Sequence, residues 1–354
     1  MKPGFALGVC DFWDRYKNIY EELNVQWAKF PVGYPATVEE GLETVAPALA
    51  QGIEPILDLR TYKDFIGKGI ISNCPNCQLE YRLAKEWPAC PQCKTPFIVI
   101  PKQAREEMIR NQDIEFIGWV THHMQGLFPK VKIFEIWGEP QCPLLTSGCL
   151  PPVRLANWLQ CLQKAKPEGA WLVNGGLGIG PWKDTELVQL MQVGTMQWCD
   201  ALNLHPFSFQ ESPPVQKKFF DWMLVLAQYL LKKHGRPDLP IMVSEWGYPS
   251  GVGAWEGSLL ASSVMPIGIE AIPESRQAQM LNVCLDIFAR YDVGPVCLMT
   301  RDLEGAGVPQ ANPSFWGFHC GIIRSDETQK PSYKVVKAWG QRVKDKGKKG
   351  KPKR

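Results

Sequence analysis

Two glutamates stand where a short apolar run gives way to a loop: Glu139 in Lys132-Ile-Phe-Glu-Ile-Trp-Gly-Glu-Pro140, and Glu245 in Pro240-Ile-Met-Val-Ser-Glu-Trp-Gly-Tyr248. Two carboxylates brought face to face can divide labour. One stays protonated and donates to a leaving oxygen; the other stays ionised and attacks carbon. Cleavage of a glycosidic bond uses that pairing, with carboxyl groups about 5–5.5 Å apart when the second is a nucleophile. A second constellation is made of sulfur: Cys74-Pro-Asn-Cys77 and Cys90-Pro-Gln-Cys93, twelve residues apart. Each Cys-x-x-Cys turn presents two thiolates, and four such ligands complete a tetrahedral zinc site. The spacing predicts a zinc ribbon over 70–101 holding one structural Zn2+ and no organic cofactor. A segment that small buries little core of its own, so the metal supplies its folding energy.

The carboxylates can meet only if the elements carrying them share a sheet. Extended apolar runs alternate with helical patterns almost throughout, the mark of a parallel sheet with helical crossovers. Strands are predicted at 5–9, 25–32, 54–60, 131–137, 171–174, 201–205, 241–246 and 294–300. Helices follow at 15–23, after a capping box from Thr37 to Glu40, and at 104–127, 153–166, 184–193, 215–233, 274–290 and 333–342. Eight strand-helix units predict an α/β fold, a closed (β/α)8 TIM barrel formed by 1–69 and 102–343, with the ribbon inserted after the third strand. Glu139 then ends the fourth strand and Glu245 the seventh, both on the face where such barrels build their sites. Because strand side chains alternate, Ile133, Glu135, Trp137 and Glu139 are expected on one side, with Glu135 paired to a barrel-lining base. Lys29, Asp58 and Arg60, at strand ends facing the mouth, can bind hydroxyls or pair with one another. Gly175 to Gly180 reads as a loop, and His122-His123 as a solvated helix face.

Composition sets the wider limits. The chain has 354 residues, 45% hydrophobic and 21% charged, as in a soluble globular protein. No stretch is apolar for the ~18–20 residues that span a membrane. The net charge of +3 is carried by the last eleven residues, 344–354, with seven positive charges and one negative. They are predicted to form a disordered basic tail. The remaining body is slightly acidic, which disfavours nucleic acid as a partner except through the tail. Of the twelve cysteines, Cys10, Cys161, Cys199, Cys284 and Cys297 lie in apolar runs as small hydrophobes. Cys142 and Cys149 flank a short loop and can pair in an oxidising compartment. The first residues do not form a secretory signal, so reduced thiols and a cytoplasmic location are expected.

Several runs resemble one known group. Phe134-Glu-Ile-Trp-Gly-Glu-Pro140 resembles the fourth-strand motif of clan A glycoside hydrolases, usually Glu-x-Trp-Asn-Glu-Pro. Ser244-Glu-Trp-Gly247 resembles their seventh-strand nucleophile motif, and Asn203-Leu-His-Pro-Phe207 their sixth strand, whose His lies near the nucleophile. Thr300-Arg-Asp302, Phe315-Trp-Gly-Phe318 and Lys330-Pro-Ser-Tyr333 resemble the closing segment of the β-xylosidase-like and cellulase-like members. The resemblance covers nearly the whole chain apart from the ribbon and the tail. It implies a retaining glycosidase or transglycosidase acting on a β-linked carbohydrate, with Glu139 as general acid/base and Glu245 as nucleophile. His205, Asn203, Trp137, Trp246 and Trp255 are then expected at the sugar, the indoles as stacking faces or as an apolar wall beside Glu139. Trp316 can serve the same purpose or pack in the core.

Three positions depart from that pattern. Gly138 stands where Asn usually bonds the sugar 2-hydroxyl, Phe207 where many members have Tyr, and Cys297-Leu-Met-Thr300 lacks the usual Trp. A transition-state hydrogen bond lost at Gly138 costs a few kcal/mol. The alternative reading is therefore a catalytically weakened barrel that binds a glycan or a partner protein.

Overall fold

The expected alternation of strands and helices is present in the computed structural model, which describes residues 5–61, 71–73, 80–82, 93–94, 102–140, 150–178, 184–207, 212–250, 272–302 and 319–349. Strand β1 (Leu7–Val9) leads through α1 (Lys17–Leu23) to β2 (Trp27–Tyr34), and α2 (Val38–Ala50) returns the chain to β3 (Glu54–Thr61). The predicted capping box opens α2: the Thr37 hydroxyl accepts from the Glu40 N–H at 3.2 Å, and the Glu40 carboxylate accepts from the Thr37 N–H at 2.7 Å. Strands β4 (Ile71–Asn73) and β5 (Glu80–Arg82) form a separate antiparallel hairpin. The alternation resumes with α3 (Lys102–Leu127), β6 (Ile133–Ile136), α4 (Pro152–Ala165), β7 (Trp171–Asn174) and β8 (Leu177–Gly178). It continues with α5 (Asp184–Gln192), β9 (Leu202–His205), α6 (Pro213–Lys233), β10 (Ile241–Trp246), α7 (Glu274–Arg290), β11 (Val296–Leu298) and α8 (Pro331–Lys349).

Nine strands lie in one parallel sheet in the order β7-β6-β3-β2-β1-β11-β10-β9-β8. Its two ends, β7 and β8, are consecutive pieces of one extended run interrupted at Gly175-Gly176. A parallel bridge from Val173 to Ala201 joins β7 to the start of β9, beside the β8–β9 pairing, and closes the sheet on itself. The nine strands thus supply eight barrel positions, as in a (β/α)8 fold. The stretch from Gly175 onward, expected as a loop, re-enters the sheet at Leu177.

Alternation sorts the side chains into two layers. Inside, Ala6, Trp27, Ile56, Ile133, Val173, Ala201, Met242 and Cys297, one per barrel position, make an apolar floor. Outside, a larger cluster fills the space between strands and helices, with Phe116, Trp158, Phe220 and Phe288 among its fully buried rings. Among the described residues no helix is long and apolar enough to cross a membrane.

Some expectations are corrected. The tail expected to be disordered from 344 continues α8 as helix to Lys349, since lysine is a good helix former and suits a helix C-terminus. His122 is exposed, but His123 is buried beside Trp119 and Gly41, where α3 packs on α2. Cys199, Cys284 and Cys297 are buried as expected, whereas Cys161 lies on the exposed side of α4. Cys74, Cys77, Cys90, Cys142, Cys149, Trp255 and Trp316 lie outside the described residues. Among the described residues no three His, Cys, Asp or Glu side chains are grouped to hold a metal ion.

Candidate active site

Directly above the apolar floor, the inward positions turn polar. Lys29 is two residues beyond Trp27, Asp58 beyond Ile56, Glu135 beyond Ile133, Asn203 beyond Ala201 and Ser244 beyond Met242. Strand periodicity therefore stacks an ionic layer on the floor. Lys29 is its centre, with Nζ 3.1 Å from Glu135, 3.4 Å from Asp58 and 3.6 Å from Glu245. This is the barrel-lining base expected for Glu135. Arg60 pairs with Asp58, whose second oxygen accepts the Gly138 N–H at 2.8 Å.

Burial alone would depress the Lys29 ammonium, but the Glu135, Asp58 and Glu245 carboxylates outweigh it and raise it above the usual lysine range. Burial raises Asp58, yet Arg60, Lys29 and the Gly138 N–H overcome this and hold it below the usual carboxylate range. Among the described residues, the cation paired with Glu135 is Lys29, not a guanidinium. Burial raises its carboxyl despite Lys29, and Asp58 adds to the rise.

Both strand ends that carry the paired glutamates break the alternation. On β6, Phe134 and Ile136 face outward and Glu135 inward, so Trp137 would be expected inside. Instead Trp137 has φ +72° and Gly138 φ +31°. The indole swings outward against Phe116 and Trp158, with ring centroids 5.5 and 5.4 Å away. On β10, Val243 pairs with Val296 but Trp246 with Leu298, three steps against two, which is a bulge. Such a bulge re-aims the side chains that follow it. Ser244 and Glu245 both reach the interior, and Trp246 turns outward onto Phe220 and Phe288 at 6.1 and 5.2 Å. Trp137 and Trp246 are thus buried core residues, not stacking faces at the mouth.

The two breaks let Glu139 and Glu245 meet over one imidazole. His205, fully buried at the end of β9, has Nδ1 2.9 Å from Glu139 Oε1 and 3.9 Å from Glu245 Oε2. It lies closer to the acid/base candidate than to the nucleophile beside which it was expected. Glu139 and Glu245 keep 16% and 26% of their side-chain surface exposed, whereas Lys29, Asp58, Glu135 and His205 keep 2% or less. The pair sits at the mouth on a sealed ionic layer. Asn203, expected at the sugar, is buried instead. Its Nδ2 donates to Ser244 Oγ at 2.9 Å and to the Asn174 carbonyl at 3.2 Å, while its Oδ1 accepts from the Ser244 N–H at 3.1 Å.

Gly138 is explained by its surroundings. Its φ disfavours any side chain, and a Cβ there would lie 3.3 Å from Asp58 Oδ2 and 3.5 Å from Arg60 Cζ. The tight neighbour is the Asp58 carboxylate, and the Arg60 guanidinium lies beside it at ordinary contact distance. Ser244, Asn174 and Gly176 were not singled out in the sequence. The inward parity of Ser244, two residues past Met242, was the available signal for the first.

No protein-family model matches the chain, and no curated protein matches it. Solved structures do. A family 39 glycoside hydrolase from Bacteroides cellulosilyticus is 15% identical, with TM-score 0.59, over 96% of this chain and 64% of that one. The chain thus spans less than two thirds of that protein's length. A GH113 β-1,4-mannanase is 13% identical, with TM-score 0.54, over 96% of this chain and 98% of its own. A GH5_18 variant from Bifidobacterium longum, in complex with Manβ1-4GlcNAc, is 12% identical, with TM-score 0.57, over 96% and 78%. At these identities the likeness is one of fold: an α/β barrel of the kind on which glycoside hydrolases are built.

Proposed function

We propose that the chain is a retaining O-glycoside hydrolase of a β-linked carbohydrate, with Glu139 as general acid/base and Glu245 as nucleophile. One observation carries the reading: carboxylates from β6 and β10 converge on a single imidazole at the mouth of the barrel. Their nearest oxygens can be no further apart than the two distances to that nitrogen combined. That closeness is compatible with the ~5–5.5 Å separation of retaining pairs. In the first step Glu139 protonates the leaving oxygen while Glu245 attacks the anomeric carbon. In the second, ionised Glu139 takes a proton from water as that water displaces Glu245. Lys29 lies 3.6 Å from Glu245 and is the cation paired with the nucleophile. Arg60, beside Gly138, is the donor we assign to a sugar hydroxyl in place of the asparagine amide.

Activated 2-deoxy-2-fluoro glycosides trap glycosyl-enzymes and test this directly. An adduct of one sugar per chain on Glu245, seen by intact mass and absent from Glu245→Gln, is the expected outcome. Folded protein that forms no adduct across a panel of sugars would favour a glycan-binding barrel.

We further propose one structural Zn2+ held by Cys74, Cys77, Cys90 and Cys93. Support comes from the flanking backbone: β4 and β5 bracket residues 74–79, which carry the first cysteine pair, and Lys94, directly after Cys93, has φ +61°.

A further inference from the structure

Helix α6 has two apolar faces where a barrel helix needs one. Phe220, Met223, Leu224, Ala227, Leu230 and Leu231 bury the first in the outer core. On the other side Val215, Trp222, Val225 and Tyr229 are between 43% and 58% exposed. Spaced by seven, three and four residues, they form one stripe, because such positions share a helix face. It runs for ~21 Å along the helix. Val193, just past the neighbouring α5, is also exposed. Among the described residues the other large exposed apolar side chains are Ile114 on α3 and Val153 on α4. Single apolar side chains at a surface are ordinary, whereas a contiguous apolar stripe marks a surface that meets something.

The charges around the stripe say what. Lys217 and Lys218 near the start of α6, and Lys232 and Lys233 at its end, are all exposed. The one acid of the helix, Asp221, is paired with Arg290 of α7 at 3.0 Å. The exposed side of α7 adds Asp286, one turn before that arginine. Lysine pairs thus bracket an apolar middle. A second copy of the chain fits poorly. Antiparallel docking about Val225 sets Lys217 and Lys218 against Lys233 and Lys232, and parallel docking sets each lysine against its twin, so like charges meet. Trp and Tyr with lysines that keep their heads outward are instead the composition of a helix lying in a membrane interface. Stable attachment takes a second signal, and residues 344–354 supply one, with seven positive charges and one negative. Every barrel helix runs back against its strand, so α6 and α8 end at the same pole, opposite the mouth. The basic residues that continue from α8 therefore share that pole with Lys232 and Lys233, and such segments are drawn to anionic headgroups.

We propose that the outward face of α6 is a docking surface for an anionic lipid bilayer, with residues 344–354 as a second, electrostatic contact. Trp222, Val225 and Tyr229 enter the boundary between headgroups and acyl chains, and the lysine pairs meet the anionic groups around them. The helix lies on the membrane and does not cross it. The mouth, at the opposite pole, stays open to solvent. This inference stands apart from the glycosidase reading, which the trapped adduct judges separately.

Co-sedimentation of the whole protein with phosphatidylcholine–phosphatidylserine vesicles, and with vesicles of phosphatidylcholine alone, tests it. The protein should sediment with the anionic vesicles at low salt, be released as salt screens the attraction, and remain in solution with the neutral ones. Trp222→Ser combined with Tyr229→Ser should weaken partition about tenfold or more. The thermal midpoint should hold, because both side chains already face solvent. Equal partition of this variant and wild type would overturn the proposal, since basic residues alone would then account for the attraction. Equal sedimentation with both kinds of vesicle would overturn its anionic part. Absence from both would overturn it whole and leave an acidic amphipathic helix of a partner protein as the occupant that the charges fit.

Discussion

At the scale of single residues, burial and partners decide what each carboxylate does. Asp58 and Glu135 lie side by side in one ionic layer, yet a guanidinium draws the first below its usual range while burial lifts the second. Opposite environments for neighbouring acids are how one site holds both a proton donor and an anion. Asp11 shows the stability side of the same principle. It accepts backbone N–H groups from Thr300 and Arg301, but burial raises its carboxyl to about 6. The folded protein therefore holds this proton more tightly than the unfolded chain, whose aspartate titrates near ~3.9. The sign follows: the contribution is fully present below about pH 4 and is lost as pH rises through about 6. Denaturant unfolding between pH 4 and 7 should show this downward slope in wild type and a flatter one in Asp11→Asn. Parallel slopes would assign the effect to other groups. That Glu135 needed a base was legible in the sequence; that the base was Lys29 was not, because the two are 106 positions apart.

At the scale of elements, the site depends on strands that do not end regularly. The left-handed backbone at Trp137-Gly138 and the bulge in β10 each shift the inward parity by one, turning an indole out and a carboxylate in. The gap between β7 and β8 serves the same end. A Cβ on Gly176 would overlap the His205 ring. Gly176→Ala should therefore displace the imidazole and reduce turnover at least as much as removing His205, about 10²–10⁴-fold if the acid/base contribution is lost. The thermal midpoint should fall less than for a core truncation. Unimpaired kcat with Ala at 176 would show that His205 need not sit where the structure has it. Alternation rules predicted inward indoles because a parity count assumes regular pleats. No local signal marks the bulge, beyond which Trp246 packs against two helices.

At the scale of the whole molecule, the β4-β5 hairpin forms a sheet of its own beside the nine-stranded one. The hydrophobic floor takes one side chain from every barrel position. A small metal-held insert gains its folding energy from the ion, whereas the barrel gains it from apolar burial. Removing zinc with a chelator should release one ion per chain and raise protease sensitivity within 71–93, with the far-ultraviolet circular dichroism of the barrel nearly unchanged. Global loss of structure on chelation would mean that the insert is integral to the barrel.

Fold class, the order of the eight strand-helix units and the two mouth carboxylates were all determined by sequence alone. Each rests on local information: hydrophobic period, capping residues, and acids placed just past apolar runs. The tertiary structure decided which side chains meet. It set Lys29 among three carboxylates, placed His205 against Glu139, buried Asn203, moved two tryptophans from the mouth to the core and filled the space beside Gly138 with Arg60. Those outcomes arise between strands far apart in the chain, where one bulge or one left-handed residue reverses the facing of everything after it.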